Sequence, residues 1–266
     1  MVLHRLDWWL ESRSLFPQEM AGFRKHQNAI DSVLDLVSSV EKIMHRKRMT
    51  VAIFLDVKRP YDTVRHAYLL YSLIRAVVPR NAFQWVASFL LQRRIFVHKS
   101  EGDSAHFPVS QGVPHGSVLS PLLVIAGLIG FLPRKMNLSI YADDICIWSS
   151  GKSRPALRLH LQRSLDAIHT HLLQAGMEIS EEKSAMLPFT RKRFSGFRLF
   201  IHSEAVNFVK HHRFLGVTLD STLSWRHHID ALETRAQRWI NLIHRFAGMR
   251  WCRDEKDLLM LHNALA

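Results

Sequence analysis

Three aspartates lying within or beside short apolar segments constrain the fold of this chain more than any other feature. Residues 51–57 (VAIFLDV) form a run rich in β-branched residues and interrupted only by Asp56, a pattern typical of a buried strand. Two further apolar pieces, 138–140 and 145–148, flank residues 141–144 (YADD), and this layout predicts a β-hairpin with Asp143 and Asp144 at its bend. Such a fold places three carboxylates close to its core.

Clustered carboxylates near a core repel one another and are costly to desolvate unless a cation neutralises them. Mg²⁺ prefers oxygen ligands, and it commonly binds one or two carboxylates together with substrate phosphates. If the two strand regions are neighbours in one sheet, the aspartates converge on a two-metal site for phosphoryl or nucleotidyl transfer. The alternative for Asp143 and Asp144 alone is an ordinary solvated turn, because aspartate is favoured in turns.

Helical periodicity recurs elsewhere, at residues 28–44, 67–78, 82–91, 157–173 and 229–246. In the first of these, the stripe expected to face the core consists of Ile30, Val33, Leu34, Val37 and Val40. Segments 206–209 and 214–219 predict a second hairpin. Helices and strands are mixed without regular βαβ alternation, so we expect an α+β fold rather than a doubly wound sheet.

Composition narrows the class of protein. Of 266 residues, 47% are hydrophobic, which is enough for a sizeable core. Lys and Arg outnumber Asp and Glu by 36 to 23, and this formal charge of +13 favours a polyanionic partner. Cys146 and Cys252 form no CxxC pair, which argues against a disulfide framework or a cysteine zinc site. The start lacks a secretory signal and the longest apolar stretch, 122–132, is short for a membrane span, so we expect an intracellular protein.

Several blocks of the sequence together resemble the reverse transcriptases of non-LTR (LINE-type, jockey/R1-like) retrotransposons. Residues 141–144 (YADD) are similar to the catalytic box of that family, and residues 54–62 (FLDVKRPYD) to its first catalytic block. Residues 110–121 (SQGVPHGSVLSP) resemble its QGVPQGSVLSP block. The other matching blocks are 22–24 (GFR), 176–180 (GMEIS) followed by Lys183, and 214–220 (FLGVTLD). All occur in the order of the family.

The resemblance implies a right-hand polymerase palm, an antiparallel sheet with packed helices. Residues 1–222 would form partial fingers and the palm, and residues 223–266 would begin the thumb. The implied activity is RNA-directed DNA polymerase, which adds deoxynucleotides to the 3′ end of a DNA primer on an RNA template. The implied cofactor is Mg²⁺ or Mn²⁺, and no membrane partner is expected.

The resemblance also implies roles for the residues of the catalytic blocks. Asp56 and Asp143 would bind both metal ions, with Val57 among the metal-binding positions and Asp144 supporting the site. Lys183 would protonate the leaving pyrophosphate, because an ammonium near the phosphates is a suitable general acid.

Substrate-binding roles are carried over in the same way. Tyr61 would pack under the sugar and exclude a 2′-hydroxyl. The other expected nucleotide-binding residues are Arg24, Gly112, Pro114, His115, Gly116 and Ser117. The expected primer grip consists of Phe214, Leu215 and Gly216. The basic residues expected to contact template and primer phosphates are Arg191, Lys192, Arg193, Lys210 and Arg213.

Three departures from the family pattern bear on activity. Pro60 stands where a small residue is usual, and His115 replaces a glutamine that contacts the incoming nucleotide. The upstream fingers block and an endonuclease are not found, so we expect a truncated copy whose missing parts belong to a longer polyprotein.

The alternative to polymerase activity is that the chain is an inactive relic that only binds nucleic acid. An RNA-dependent RNA polymerase is disfavoured by Tyr61 and by YADD in place of GDD. The family implies the nucleus or cytoplasm as the site of action.

Overall fold

The computed structural model describes residues 2–16, 20–22, 24, 27–91, 93–100, 102–128, 137–192, 194–247, 256, 259 and 260. The predictions for Phe23, Arg193, Cys252 and residues 129–132 lie outside this part of the chain. In chain order the elements are α1 (Val2–Ser12), α2 (Ala29–His45), β1 (Met49–Lys58), α3 (Pro60–Thr63), α4 (His66–Arg75), α5 (Arg80–Leu90), β2 (Arg94–Ile95), β3 (Phe107–Pro108), α6 (Ser120–Leu128), β4 (Asn137–Tyr141), β5 (Asp144–Gly151), α7 (Arg154–Ala175), β6 (Glu178–Phe189), β7 (Phe200–Ile201), β8 (Glu204–Ala205), β9 (Asn207–Phe208), β10 (His211–Phe214), β11 (Val217–Asp220) and α8 (Arg226–Ala247).

A five-stranded sheet with the order β4-β5-β1-β6-β9 forms the centre of the molecule. Its strands pair antiparallel except at the β6–β9 edge, which is parallel. Helices pack on the sheet without βαβ alternation, so the α+β prediction is confirmed. The predicted strand at 51–57 lies within β1, and the predicted hairpin around 141–144 is formed by β4 and β5.

The sheet separates two hydrophobic cores, because alternate residues of a strand point to opposite faces. Val51, Ile53 and Leu55 of β1 join the larger core with α4, α6 and α7. Ala52 and Phe54 join the smaller core with α2 and the β10–β11 hairpin. The predicted apolar stripe of α7 is buried along its whole length. Because both faces of β1 are covered, its sequence is an almost continuous apolar run.

The predicted stripe of α2 is only partly correct. Val33, Val37 and Val40 are buried as expected. Ile30 and Leu34 are 62% and 57% exposed, and Leu36 is fully buried instead. The helix is therefore rotated so that Leu36 faces the smaller core, an orientation that spacings of three and four do not distinguish from the predicted one.

The prediction of a second hairpin from segments 206–209 and 214–219 is wrong. The β9 strand lies parallel to β6, and β10 pairs with β11 in a hairpin of its own. Leu215 and Gly216, with φ of 47° and 87°, form a tight two-residue turn between Phe214 and Val217. This turn fixes the pairing partner of β11 as the segment immediately before it.

Candidate active site

Strand pairing brings the acidic blocks together. Asp56, near the end of β1, lies opposite Asp144, the first residue of β5. Ala142 and Asp143 form the two-residue turn between β4 and β5, and Ala142 takes the left-handed conformation with φ of 57°. The three aspartates are therefore adjacent at one end of the sheet, although 86 residues separate Asp56 from the hairpin turn at Ala142.

The electrostatics of this site show an excess of negative charge. Burial raises the pKa of Asp144, and the charges of Asp143 and Asp56 raise this pKa further. Burial also raises the pKa of Tyr61, and the charge of Asp143 adds to that shift. The side chains of Tyr61 and the three aspartates thus share one electrostatic environment. A divalent cation would neutralise the excess.

A bulge in β6 places Lys183 over this site. Asp56 lies opposite Ser180 and Phe54 opposite Ala185, so β6 advances five residues where β1 advances two. The extra residues bend away from the ladder. Nζ of Lys183 consequently lies 3.5 Å from Oδ2 of Asp56, which is the one carboxylate–lysine contact at the site in the described part of the chain.

The donor set fits Mg²⁺ or Mn²⁺ only together with substrate oxygens. Within the described ranges, no three His, Cys, Asp or Glu side chains are arranged to enclose a metal ion by themselves. Mg²⁺ usually binds through one or two carboxylates, with water and substrate phosphates completing its shell. A valine side chain has no ligating atom, so the metal ligand that Val57 can offer is its backbone carbonyl oxygen. The site therefore fits a divalent ion whose shell is completed by the phosphate oxygens of a substrate.

A cleft of about 170 Å³ opens beside the carboxylates, and we refer to it as the catalytic cleft. Its walls include Asp56, Asp144 and Lys183 on the sheet side, and Arg213 and Phe214 from β10. Phe214 is buried, and its ring packs against Phe54 of β1 at a centroid distance of 5.2 Å. This contact fixes the expected primer grip next to the carboxylates.

The 110–121 loop is fastened to the segment that follows β1. The amide of Val113 donates to the carbonyl of Tyr61, and the amide of Gly112 donates to the carbonyl of Val64, both at 2.7 Å. Gly112 has φ of +77°, and a Cβ there would lie 2.7 Å from the carbonyl oxygen of Asp62. Only glycine fits this approach. Nε2 of buried His66, a residue that the sequence analysis did not single out, contacts the carbonyl oxygen of Gly112 at 2.6 Å.

The two unusual residues of these blocks occupy defined places. Pro60 is the first residue of α3, a position where a helix needs no amide donor, so proline is accommodated there. Nε2 of His115 lies 2.6 Å from Oδ1 of Asp62, and its ring is 5.9 Å from that of Tyr61. His115 therefore stands beside Tyr61, the residue expected to exclude a 2′-hydroxyl.

Further along the loop, Pro114 and Ser117 form a turn that leads into α6. The carbonyl of Pro114 accepts hydrogen bonds from the amide of Ser117 at 3.3 Å and from the hydroxyl of Ser120 at 2.8 Å. Gly116 has φ of +77° with open space around it. An exposed turn of this kind leaves room for a phosphate near its backbone.

The segment around Gly22 packs directly on the β4–β5 hairpin, whose turn contains Asp143. The amides of Ala21 and Gly22 both donate to the carbonyl of Ile140, at 3.1 and 3.3 Å. A Cβ at Gly22 would lie 2.6 Å from the amide nitrogen of Ala142. The guanidinium of Arg24 forms a two-pronged ion pair with Glu11, with contacts of 2.8 and 2.9 Å. Arg24 thus anchors this segment to α1, and contact with a nucleotide would require it to exchange that partner.

Asp220 joins the β10–β11 hairpin to α8, and the sequence analysis did not single it out. Burial alone would raise the pKa of Asp220, but hydrogen bonds from Thr222 and Ser224 outweigh burial and lower the pKa to about 2. The carboxylate also accepts from the amide of Trp225 at 3.1 Å. Five hydrogen bonds to one carboxylate hold the start of α8 in place.

The basic residues do not all surround the catalytic cleft. Arg213 lines it. Arg191 and Lys192 follow β6, whose last residue, Phe189, lies opposite Thr50 at the start of β1. They therefore lie at the far end of the sheet from Asp56, and their contact with template and primer phosphates stays a prediction.

Comparisons with known proteins agree with this geometry. The family described as "Reverse transcriptase (RNA-dependent DNA polymerase)" matches residues 1–219. The RNA-directed DNA polymerase from mobile element jockey of Drosophila melanogaster is 27% identical over 88% of this chain and 26% of its own length. The probable RNA-directed DNA polymerase from transposon BS, also from Drosophila melanogaster, is 27% identical over 98% of this chain and 29% of its own length. The chain spans less than a third of these relatives.

Solved structures with a similar fold include telomerases. Apo telomerase from Candida tropicalis superposes with a TM-score of 0.60 at 14% identity, covering 84% of this chain and 40% of that one. Telomerase from Candida albicans in complex with a TWJ fragment of telomeric RNA gives a TM-score of 0.55 at 11% identity, covering 99% of this chain and 44% of that one. At these identities the likeness concerns the fold alone, which is that of a polymerase palm.

Proposed function

The chain belongs to the reverse transcriptase (RNA-dependent DNA polymerase) family, and we propose that it is the catalytic core of a retrotransposon RNA-directed DNA polymerase. The observation that supports this most is the pairing of Asp56 with Asp144 beside the turn that contains Asp143. The proposed reaction copies an RNA template by adding deoxynucleotides to a DNA primer 3′ end, with release of pyrophosphate.

In this proposal, Asp56, Asp143 and the carbonyl of Val57 would hold Mg²⁺ or Mn²⁺, with Asp144 completing the anionic environment. Bound there, the ions would activate the primer hydroxyl and neutralise charge on the reacting phosphate. Lys183 would act as the proton donor to pyrophosphate. Its exposed ammonium is within 3.5 Å of Asp56, so a short movement brings it to a phosphate bound at the same carboxylate.

Selection of the sugar is assigned to Tyr61. It lies in α3, three residues after the end of β1, and is held in place because its carbonyl accepts a hydrogen bond from the amide of Val113. A bulky ring at that position would exclude the 2′-hydroxyl of a ribonucleotide. The loop containing Gly112, Pro114, His115, Gly116 and Ser117 would line the opposite side of the nucleotide, and Arg24 would contact it after leaving Glu11.

The remaining assignments concern larger units. Phe214, Leu215 and Gly216 would grip the primer end, and α8 would begin the thumb, so that residues 1–222 form the fingers and palm and residues 223–266 start the thumb. The parts of the relatives not matched by this chain would supply further fingers and an endonuclease within a longer polyprotein. Such an enzyme acts where its RNA and primer DNA meet, in the nucleus or cytoplasm. In the described part of the chain, no helix combines the length and apolar character needed to cross a bilayer.

Primer extension tests this function. The purified chain is given an RNA template, a labelled DNA primer, Mg²⁺ or Mn²⁺, and either deoxynucleotides or ribonucleotides. We expect extension with deoxynucleotides, its loss in Asp143→Asn and its retention in Asp35→Asn, which makes the same chemical change on the exposed face of α2. Preferential incorporation of ribonucleotides by the wild-type chain would instead indicate an RNA polymerase.

A second candidate function, nucleic-acid binding without polymerisation, is favoured by the contact between His115 and Asp62. The imidazole is held 2.6 Å from a carboxylate where the family has a neutral amide for the incoming nucleotide. A folded chain that binds template and primer but does not extend would support this function. Recovery of extension in His115→Gln would then identify His115 as the cause.

A further inference from the structure

A second concave surface lies at the opposite end of the sheet from the catalytic cleft. It is bounded by the end of α2, the start of β1, the ends of β5 and β6, and the residues just before α8, and it encloses about 910 Å³. We call it the basal groove. Met49 of β1 lines it, seven residues from Asp56, so about 23 Å of extended strand separates it from the carboxylates.

The basal groove carries a strong positive charge. Five of its lining residues are cationic, namely Lys47, Arg48, Lys152, Arg191 and Lys192, and its one carboxylate is Glu41. All five cationic residues are exposed. In the described part of the chain, none of them forms an ion pair with a carboxylate. Their charge is available to an external anion.

The distribution of these cations favours an extended ligand over a single phosphate. They come from three separate chain segments, the loop after α2, the end of β5 and the segment after β6, which meet around an opening of about 910 Å³. A lone phosphate contacts only two or three such groups, whereas a nucleic-acid backbone presents a phosphate to each.

The chemistry of the lining further favours a duplex over a single strand. No Phe, Tyr or Trp of the described residues lines the basal groove, where the one ring is the imidazole of His45 and the apolar contribution comes from Met44, Met49 and Leu223. Proteins that hold unpaired nucleic acid generally stack its bases on aromatic rings. A duplex keeps its bases stacked inside and presents phosphates on its surface. A site that binds a duplex therefore needs cations but no aromatic rings for stacking.

We propose that the basal groove binds the phosphate backbone of a double-stranded RNA stem and forms a second RNA contact, separate from the catalytic cleft. The choice of RNA rests on the proposed function, in which the template is RNA whose folded regions lie outside the segment being copied. Because Thr222 and Leu223 of the groove lie within four residues of the start of α8, a stem bound there lies near the base of that helix.

The test compares two variants of the same net charge in the full chain. In the groove variant, Lys47, Arg48, Lys152, Arg191 and Lys192 are all changed to Gln. In the control variant, five exposed cations outside the groove and the cleft are changed to Gln, namely Arg75, Arg80, Lys99, Arg158 and Arg163. Thermal unfolding establishes that both are folded. Binding is measured by fluorescence anisotropy, over a salt series, to three probes: an RNA hairpin with a stem of about 16 base pairs, a DNA duplex of the same length and an unstructured RNA strand.

We expect the groove variant to bind the RNA stem at least about tenfold more weakly than the control variant. The slope of log K against log salt should fall in magnitude by up to about 4.5, since each of the five lost phosphate contacts removes about 0.9. Equal affinities and slopes for the two variants overturn the proposal. A loss confined to a DNA duplex overturns the assignment to RNA, and a loss equally large for an unstructured RNA strand overturns the assignment to a duplex.

The failure of the proposed function is distinguishable from the failure of this inference. If the wild-type chain does not extend a primer but the groove variant still loses stem binding, the groove assignment stands and the polymerase assignment fails. If extension succeeds and stem binding is the same in both variants, the groove assignment fails alone.

Discussion

Replacement of Gly22 by alanine tests whether the segment before α2 positions the β4–β5 hairpin and, with it, Asp143. A Cβ at residue 22 would lie 2.6 Å from the amide nitrogen of Ala142 and 3.0 Å from Cα of Tyr141, both backbone atoms. An ordinary contact begins near 3.4 Å, so the hairpin must move away by about 0.8 Å. The two hydrogen bonds from Ala21 and Gly22 to Ile140 oppose this movement.

Gly22→Ala should lower both the folding stability and the rate of primer extension. Overpacking of this kind costs about 1–3 kcal/mol of folding stability. Displacement of Asp143 by nearly 1 Å relative to Asp56 reduces the extension rate by about 100-fold, because catalysis depends on the relative position of the reacting groups. Single-turnover primer extension measures the rate, and urea unfolding measures the stability.

Gly196→Ala is the matched control. Gly196 has φ of +73° and no heavy atom within 4 Å of a Cβ, so alanine there costs about 1–2 kcal/mol of stability through backbone strain without touching the hairpin. Its extension rate should equal that of the wild-type chain. A folded Gly22→Ala variant that also extends at the wild-type rate would refute the positioning role of Gly22.

Three further predictions follow from the electrostatics and backbone of the site. Because the pKa of Asp144 is raised in the folded state, its ionised carboxylate destabilises the fold above that pKa. In EDTA, Asp144→Asn should therefore melt at a higher temperature than the wild-type chain at pH 7, and at the same temperature below about pH 3.9, where both states are protonated. Added Mg²⁺ should stabilise the wild-type chain more than this variant. Because the folded pKa of Asp220 is lowered, its ionised carboxylate stabilises the fold above about pH 3.9, and this stabilisation is lost as the pH falls towards 2. Asp220→Ala should therefore lower the free energy of unfolding, measured with urea at pH 7, by about 2 kcal/mol. An unchanged free energy would exclude the anchoring role. Gly112→Ala should lower the free energy of unfolding by at least about 1 kcal/mol more than Gly116→Ala. Both glycines have φ of +77°, but only a Cβ at Gly112 meets the carbonyl oxygen of Asp62. Equal unfolding free energies for the two variants would contradict this.

Apolar patterns in the sequence predicted the strand β1, the β4–β5 hairpin and the helix α7, because the apolar residues of these elements are the ones that the fold buries. The second hairpin was wrong because strand patterns identify strands but not their partners, and the partner of β11 is determined by the tight turn at Leu215 and Gly216. The stripe of α2 was partly wrong because its sequence carries apolar residues on both the buried and the exposed faces.

The contacts within the site that the sequence did not reveal are contacts between distant segments. Gly22 is 118 residues from Ile140, whose carbonyl it contacts, and its lack of a side chain matters only after the hairpin has folded against it. The bulge that brings Lys183 to Asp56 appears as an ordinary strand in sequence. His66 and Asp220 likewise lack a local signal for the groups they anchor.

The central claim is that Asp56, Asp143 and Asp144 form a divalent-ion site for nucleotide addition. Its most direct test is the single-turnover rate of primer extension on an RNA template, measured across Mg²⁺ concentrations for the wild-type chain and Asp143→Asn. The account predicts a rate that rises with Mg²⁺ in the wild-type chain and falls below detection in a folded Asp143→Asn variant. Extension that survives this substitution, or a folded wild-type chain that binds template and primer without extending, would contradict the claim.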